Sequence, residues 1–324
     1  VAIVLSFLLS YLLTFKCKYG FIFSLFSSMV CLLITSFSTT SFLFKIFVIS
    51  IPRRLFSYCF GLLCAINIPY KPVRSYIFSH ICKKLKIIPT ETTQELDSFP
   101  SIKEFMARDI DLKRRGLVEI QKVFQHPGPN TNSFYAPCDS VLSHIGELDS
   151  DIVQKKIKGL QFSVDELINF KAQLDTNSRY YCLVFEIQPN QYHGFHAPVN
   201  FQVENYTFSH GDLLPQSFME KQRVLAKNER ISLIGTCNER FTSLTAVGSL
   251  CRGNIALEKL ILKKKIQKSD DYYVCSERIG KFKAGSTVVV ITEVGADYEV
   301  VGMKTGAVLI GEEVARIAKR RHDQ

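Results

Sequence analysis

The stretch Lys283-Ala284-Gly285-Ser286-Thr287-Val288-Val289-Val290-Ile291 (KAGSTVVVI) changes abruptly from small, flexible residues to β-branched ones. The Val and Ile run is a strand signal. Ala284-Gly285 before it reads as a turn, so Ser286 is delivered to the start of a strand. Gly285 has no side chain to shield its carbonyl and tolerates strained dihedrals. Alone, a Gly-Ser-Thr triplet is an ordinary turn. The same texture extends outward from it. Residues 181–187, 230–234, 244–247 and 287–292 are short runs rich in Val, Ile, Phe, Tyr and Thr, bounded by Gly, Pro, Asn and Asp. From about residue 117 the chain therefore reads as β-rich, with one short helix over 165–170.

The N-terminal third differs. Residues 1–13 are apolar, and residues 21–50 carry a single charge, Lys45. About 20 apolar residues span a bilayer as a helix, so 21–44 is long enough. Residues 55–88 mix apolar and basic side chains at helical spacing, and read as interfacial amphipathic helices broken near Pro69 and Pro72. Thr92 to Glu95 has the form of a capping box, and Ser101 opens a short helix through Met106. The chain holds 40 Lys and Arg against 30 Asp and Glu, a net charge of +10. Residues 1–90 contain ten basic residues and no acid, so the entire excess lies there. That is a membrane-surface pattern, because anionic headgroups attract a basic flank. A nucleic-acid binder spreads its basic residues over a polar domain, and nucleic acid is not an expected partner. Ten scattered cysteines form no CxxC pair, which leaves no zinc ribbon or redox motif and favours reduced, buried thiols. Because the chain begins with Val1, an upstream segment is expected.

Besides Gly285-Ser286, two constellations carry chemistry. Tyr192-His193-Gly194-Phe195-His196-Ala197-Pro198 places two of the seven histidines three apart after an apolar strand. An imidazole can take a hydroxyl proton and return it near neutral pH. A metal site is poorly supported without neighbouring Cys or carboxylate ligands, and two structural histidines are the plain alternative. In Ala136-Pro137-Cys138-Asp139-Ser140, Asp139 either orients a histidine or caps its own turn. In chain order, Asp139, His196 and Ser286 supply an acid, a base and a nucleophile.

These pieces resemble the phosphatidylserine decarboxylase proenzymes, a pyruvoyl-dependent family, from about residue 52 to 313. The segment 99–110 (FPSIKEFMARDI) is similar to the family's pre-catalytic F-x-x-F-F-x-R-x-L, and residues 136–139 to its P-x-D-G turn. Lys158-Gly159 with Phe162, Ser163 and Leu167 resembles K-G-x-x-Y-S-x-x-x-L-L, and residues 188–198 resemble P-x-D-Y-H-R-x-H-x-P. Residues 210–215, Asn228-Glu229-Arg230, 245–249 and 282–288 complete the series. Departures are Ser140 for Gly, Asn190-Gln191 before Tyr192, Gly194 for a common Arg, and Ala284 before Gly285.

The resemblance implies an α+β fold: N-terminal membrane or interfacial helices on a β-rich core, with a lipoyl- or biotinyl-like barrel-sandwich hairpin near 301–313. It implies an anchor at 1–50, a helical region at 51–116 and a catalytic domain at 117–324. It further implies self-cleavage at Gly285-Ser286 into a β fragment, 1–285, and an α fragment, 286–324, which stay together. Ser286 would become a covalent pyruvoyl group, with Asp139 and His196 driving cleavage and His193 serving decarboxylation of phosphatidylserine. The expected partner is an anionic membrane, that of the inner mitochondrion or else the endoplasmic reticulum or another endomembrane. Rival readings are a membrane-anchored serine hydrolase, which lacks the G-x-S-x-G elbow, and a non-enzymatic lipoyl-like adaptor.

Overall fold

The computed structural model describes residues 52–115, 132–148, 162–175, 178–214, 221–249, 255–259, 266–282 and 287–320. The expected anchor at 1–50 and the Gly285-Ser286 junction lie outside them. The chain opens with helices α1 (Arg53–Cys64) and α2 (Lys71–Leu85), then a short α3 (Ile102–Met106). Pro72 does not break a helix. It sits in the first turn of α2, where a missing N–H has no intrahelical acceptor to lose. The Ser101 hydroxyl caps α3 by accepting from Glu104 N–H. Thr92 opens no helix, because its hydroxyl donates back to the Pro89 and Gln94 carbonyls. Phe78, Phe99 and Phe105 pack as a trio between these helices, Phe78 and Phe105 stacked at 4.8 Å.

Strands follow: β1 (Ser133–Tyr135), β2 (Ser140–Glu147), β3 (Arg179–Glu186), β4 (Gly194–His196), β5 (Phe201–Ser209), β6 (Arg230–Cys237), β7 (Arg240–Val247) and β8 (Ile255–Leu257). The rest are β9 (Ile266–Lys268), β10 (Tyr272–Tyr273), β11 (Arg278–Phe282), β12 (Thr287–Val294), β13 (Tyr298–Val301), β14 (Gly306–Val308) and β15 (Glu313–Lys319). Two short helices interrupt them, α4 (Val164–Ile168) and α5 (Lys221–Lys227). α4 carries a full capping box between Ser163 and Glu166. The structure is thus mostly β with few helices, an α+β architecture.

The main sheet runs β10-β5-β6-β7-β12-β3-β2-β14, with β9 also paired to β5. All its named pairings are antiparallel. Its centre is β12, paired with β3 on one side and β7 on the other. Side chains alternate along it, and both faces are covered. Val288, Val290 and Val294 enter one core with Phe185, Leu244 and Phe282. Val289 and Ile291 enter a second with Tyr180, Cys182 and Leu167 of α4. Two small sheets, β1-β15-β13 and β4-β11-β8, complete the fold.

Residues 301–313 do not form the simple hairpin expected of a barrel-sandwich. β13 pairs with β15, while β14 between them pairs with β2 in the main sheet. Among the described residues no sheet closes into a barrel.

Asn228 fastens the end of β7. Its fully buried amide accepts from Leu214 N–H and donates to the carbonyls of Leu214 and Gly248. Gly248 follows Val247, which pairs with Thr287 at the head of β12. Asn228→Ala should lower unfolding stability by about 3 kcal/mol, since it strands several buried partners. The midpoint of urea unfolding checks this, and an unchanged midpoint would refute the clamp.

Candidate active site

The histidine segment is built by backbone pairing. β4 lies antiparallel to β11, with Arg278 opposite His196 and Lys281 opposite Gly194. Phe282 N–H then donates to the His193 carbonyl at 2.9 Å. Both histidines therefore flank the strand that runs into residues 283–286. On the far side of that gap, Thr287 is fixed between Glu186 and Val247. The two ends bracketing Gly285-Ser286 are thus held while the pair itself lies outside the described residues.

Asp139 ends the turn leading into β2. Pro137 in that turn accepts from His196 N–H at 2.8 Å, which ties the turn to β4. Asp139, His193 and His196 are all buried, each no more than 4% exposed. One Asp139 oxygen accepts from Ile310 N–H at 2.9 Å. The acid was expected behind His196, yet the ring is oriented by another group: Nδ1 donates to the Ser276 carbonyl at 2.8 Å. On the opposite edge, Nε2 lies 3.3 Å from the Tyr192 hydroxyl. The structure thus brings His193 and His196 to the incoming strand and places Asp139 beside them on the adjoining turn.

Burial lowers the His196 pKa to about 4; the nearby Arg278 guanidinium adds to this, while the Ser276 carbonyl and Asp109 oppose it. The ring is therefore neutral near pH 7, as a proton acceptor must be.

Several neighbours escaped the sequence reading. Arg278 pairs with Asp109 at 2.7 Å and Glu258 at 2.9 Å, and its charge acts on the Tyr192 phenol. Arg108 is buried over the Phe105 ring and donates to the Asn190 carbonyl at 2.8 Å. It joins α3 to the histidine turn. Tyr192 was legible as part of the histidine motif. Ser276, which contributes a backbone carbonyl, has no side-chain signature at all. Among the described residues no cluster of His, Cys, Asp and Glu could hold a metal ion.

With this geometry in view, residues 117–316 match the family model for phosphatidylserine decarboxylase. The chain belongs to that family. It is 27% identical over 269 residues to the phosphatidylserine decarboxylase proenzyme of Plasmodium knowlesi (strain H), covering 76% of this chain and 73% of that one. It is 25% identical over 284 residues to the corresponding proenzyme of Brevibacillus brevis, covering 82% of this chain and 94% of that one. The mitochondrial proenzyme of Pongo abelii is 25% identical over 307 residues, covering 79% of this chain and 70% of that one. The family match reaches across Asp139, both histidines and the 285–286 junction, so a decarboxylase's segments surround this site.

A buried neutral histidine makes stability pH-dependent. The folded pKa of about 4 lies below the ordinary 6.5, so between these values the unfolded chain binds more protons. Stability should rise with pH across that window and be lost as pH falls through it, by on the order of 3 kcal/mol in all. His144, also lowered by burial, acts in the same direction. His196→Gln should flatten, though not abolish, the slope of unfolding free energy against pH. An unaltered slope would contradict a neutral, buried His196.

Proposed function

We propose that this phosphatidylserine decarboxylase is made as a proenzyme that cuts itself between Gly285 and Ser286. The carrying observation is the pairing of β4 with β11, which sets two buried imidazoles against the strand entering that junction. It decarboxylates phosphatidylserine to phosphatidylethanolamine, a carboxy-lyase reaction.

In the processing step, His196 takes the Ser286 hydroxyl proton at Nε2. The Ser286 oxygen attacks the Gly285 carbonyl; a C–O bond forms, the peptide C–N bond breaks, and the amine of residue 286 takes a proton. Asp139, on the turn tied to β4, supports the segment electrostatically. Loss of the α-proton and cleavage of the Cβ–O bond release the Gly285 carboxylate. The resulting dehydroalanine takes up water and loses ammonia, leaving a pyruvoyl group at position 286. The surroundings fit such a group. Residue 286 abuts Thr287, which is 1% exposed and pinned on both sides, and His193 is held to the strand before the junction. Once formed, the pyruvoyl group supplies an electron sink for loss of carbon dioxide. His193 is placed to steer the substrate carboxylate or return a proton. Pairing of β12 with β3 and β7 supports continued association of the fragments after the cut.

The lipid must be met at a surface. Leu55, Tyr58, Leu62, Tyr70, Val73 and Tyr76 of α1, α2 and their connection are exposed, among basic residues and without an acid before Glu91. These helices would rest on an anionic bilayer, each basic side chain contributing about 1 kcal/mol. Among the described residues no helix is long and apolar enough to cross a membrane. The mitochondrial names of some relatives favour a mitochondrial membrane as its place.

Neither rival produces a fragment of 39 residues with a blocked terminus. A denaturing gel and intact mass should reveal that fragment; a full-length folded chain retaining serine at 286 would overturn the proposal. Ser286→Ala should stop both cleavage and decarboxylation. His193→Ala should still cleave but decarboxylate about 100- to 10,000-fold more slowly, the range of a lost proton-transfer group. On vesicles rich in phosphatidylserine, a Tyr58→Ser, Tyr70→Ser, Tyr76→Ser triple variant should float less than the parent. Equal flotation would remove these helices as the docking surface.

A further inference from the structure

We propose that Tyr192, assisted by the charge of Arg278, is a positioning residue that sets the basicity of His196 and thereby the pH range of self-cleavage. The inference rests on His196 being the processing base.

The direction of each hydrogen bond follows from the groups themselves. A carbonyl only accepts, so the Nδ1 proton of His196 points to Ser276 O at 2.8 Å. The neutral ring then presents a lone pair at Nε2, and the Tyr192 hydroxyl donates to it at 3.3 Å. The positive charge of Arg278 acts on the Tyr192 phenol. Arg278 is itself fixed by Asp109 at 2.7 Å and Glu258 at 2.9 Å. The chain of donors therefore runs from Tyr192 through His196 to the Ser276 carbonyl, with the guanidinium beside it.

The backbone is shaped for this arrangement. Arg278 stands opposite His196 in the pairing of β11 with β4. The Tyr192 ring folds back over Gly194, where a Cβ would lie 2.1 Å from its hydroxyl oxygen and 2.2 Å from Cζ. A side chain at 194 would require the Tyr192 ring to shift from its present place. The related motif commonly carries Arg at that position. Here that arginine is absent, and a guanidinium stands on the neighbouring strand, at the residue opposite His196.

Two effects then act with one sign. A hydrogen bond donated to Nε2 favours the neutral ring, and so does the positive charge of Arg278. Asp109 opposes them, Glu258 is engaged by Arg278, and Asp139 acts on Tyr192. Removing the hydroxyl or the guanidinium should move His196 back toward its ordinary basicity. The same lone pair must receive the Ser286 proton, so the hydroxyl also has to yield Nε2 before cleavage.

The test follows release of fragment 286–324 from freshly synthesised full-length chain between about pH 4 and 8, the span in which an imidazole titrates. Tyr192→Phe retains the ring, and Arg278→Met replaces a partly exposed side chain, so neither should prevent folding. Both should shift the acid limb of the cleavage profile upward by roughly one pH unit. Each would then cut more slowly than the parent near the acid limb and at least as fast near neutrality. An unmoved limb, or slowing by one factor at every pH, would overturn the inference. His196→Gln separates the two levels. If it cleaves like the parent, the base assignment itself fails; if it is inert while the other limbs stay put, only the role of Tyr192 and Arg278 falls.

Discussion

The fold depends on one strand being paired on both sides and buried on both faces. β12 makes continuous ladders with β3 and β7, and its Val288, Val289, Val290 and Ile291 are each at most 1% exposed. Full burial of such a side chain contributes about 1.5–3 kcal/mol, so these four represent a gross stabilisation near 6–12 kcal/mol. That grip begins at Thr287, immediately after the proposed cut. A chain that severs its own backbone next to its central strand needs an anchor that does not run through the severed bond. Hydrogen bonds to both neighbours and insertion into two cores supply it.

A second constraint follows from the first. With Thr287 fixed, the residues before it must come from β11, and β11 is the strand that pairs with the histidine segment. Pairing, rather than loop closure, therefore sets the approach of His193 and His196 to the junction. Burial then keeps His196 neutral, and the Ser276 carbonyl fixes which ring nitrogen carries the proton. The polar surroundings of this ring are backbone carbonyl, phenol and guanidinium, drawn from segments far apart in the chain.

The sequence was legible where a residue's role is local. The β-branched runs became β3, β6, β7 and β12, the short helix expected over 165–170 is α4, and Ser101 caps α3. It misled where a local pattern had a competing partner. Thr92 bonded back to a turn instead of capping a helix. Residues 301–313 looked like one hairpin, but β14 pairs with β2 in the main sheet. The ordered motifs made Tyr192, His193 and His196 visible together; nothing in the sequence near Ser276, Arg278 or Asp109 shows that they surround the same ring.

By itself, then, the sequence determined the β-rich core, the charge asymmetry of the N-terminal third, and the family to which Asp139, His193, His196 and the Gly285-Ser286 junction belong. These are properties of composition, periodicity and ordered motifs, all carried along the chain. Only the tertiary structure decided which carbonyl holds His196, which cation stands on the neighbouring strand, and which ring packs over Gly194. Those features depend on the register between β4 and β11 and on contacts across eighty residues of sequence, as from Ser276 to His196. No local signal encodes a distance of that kind.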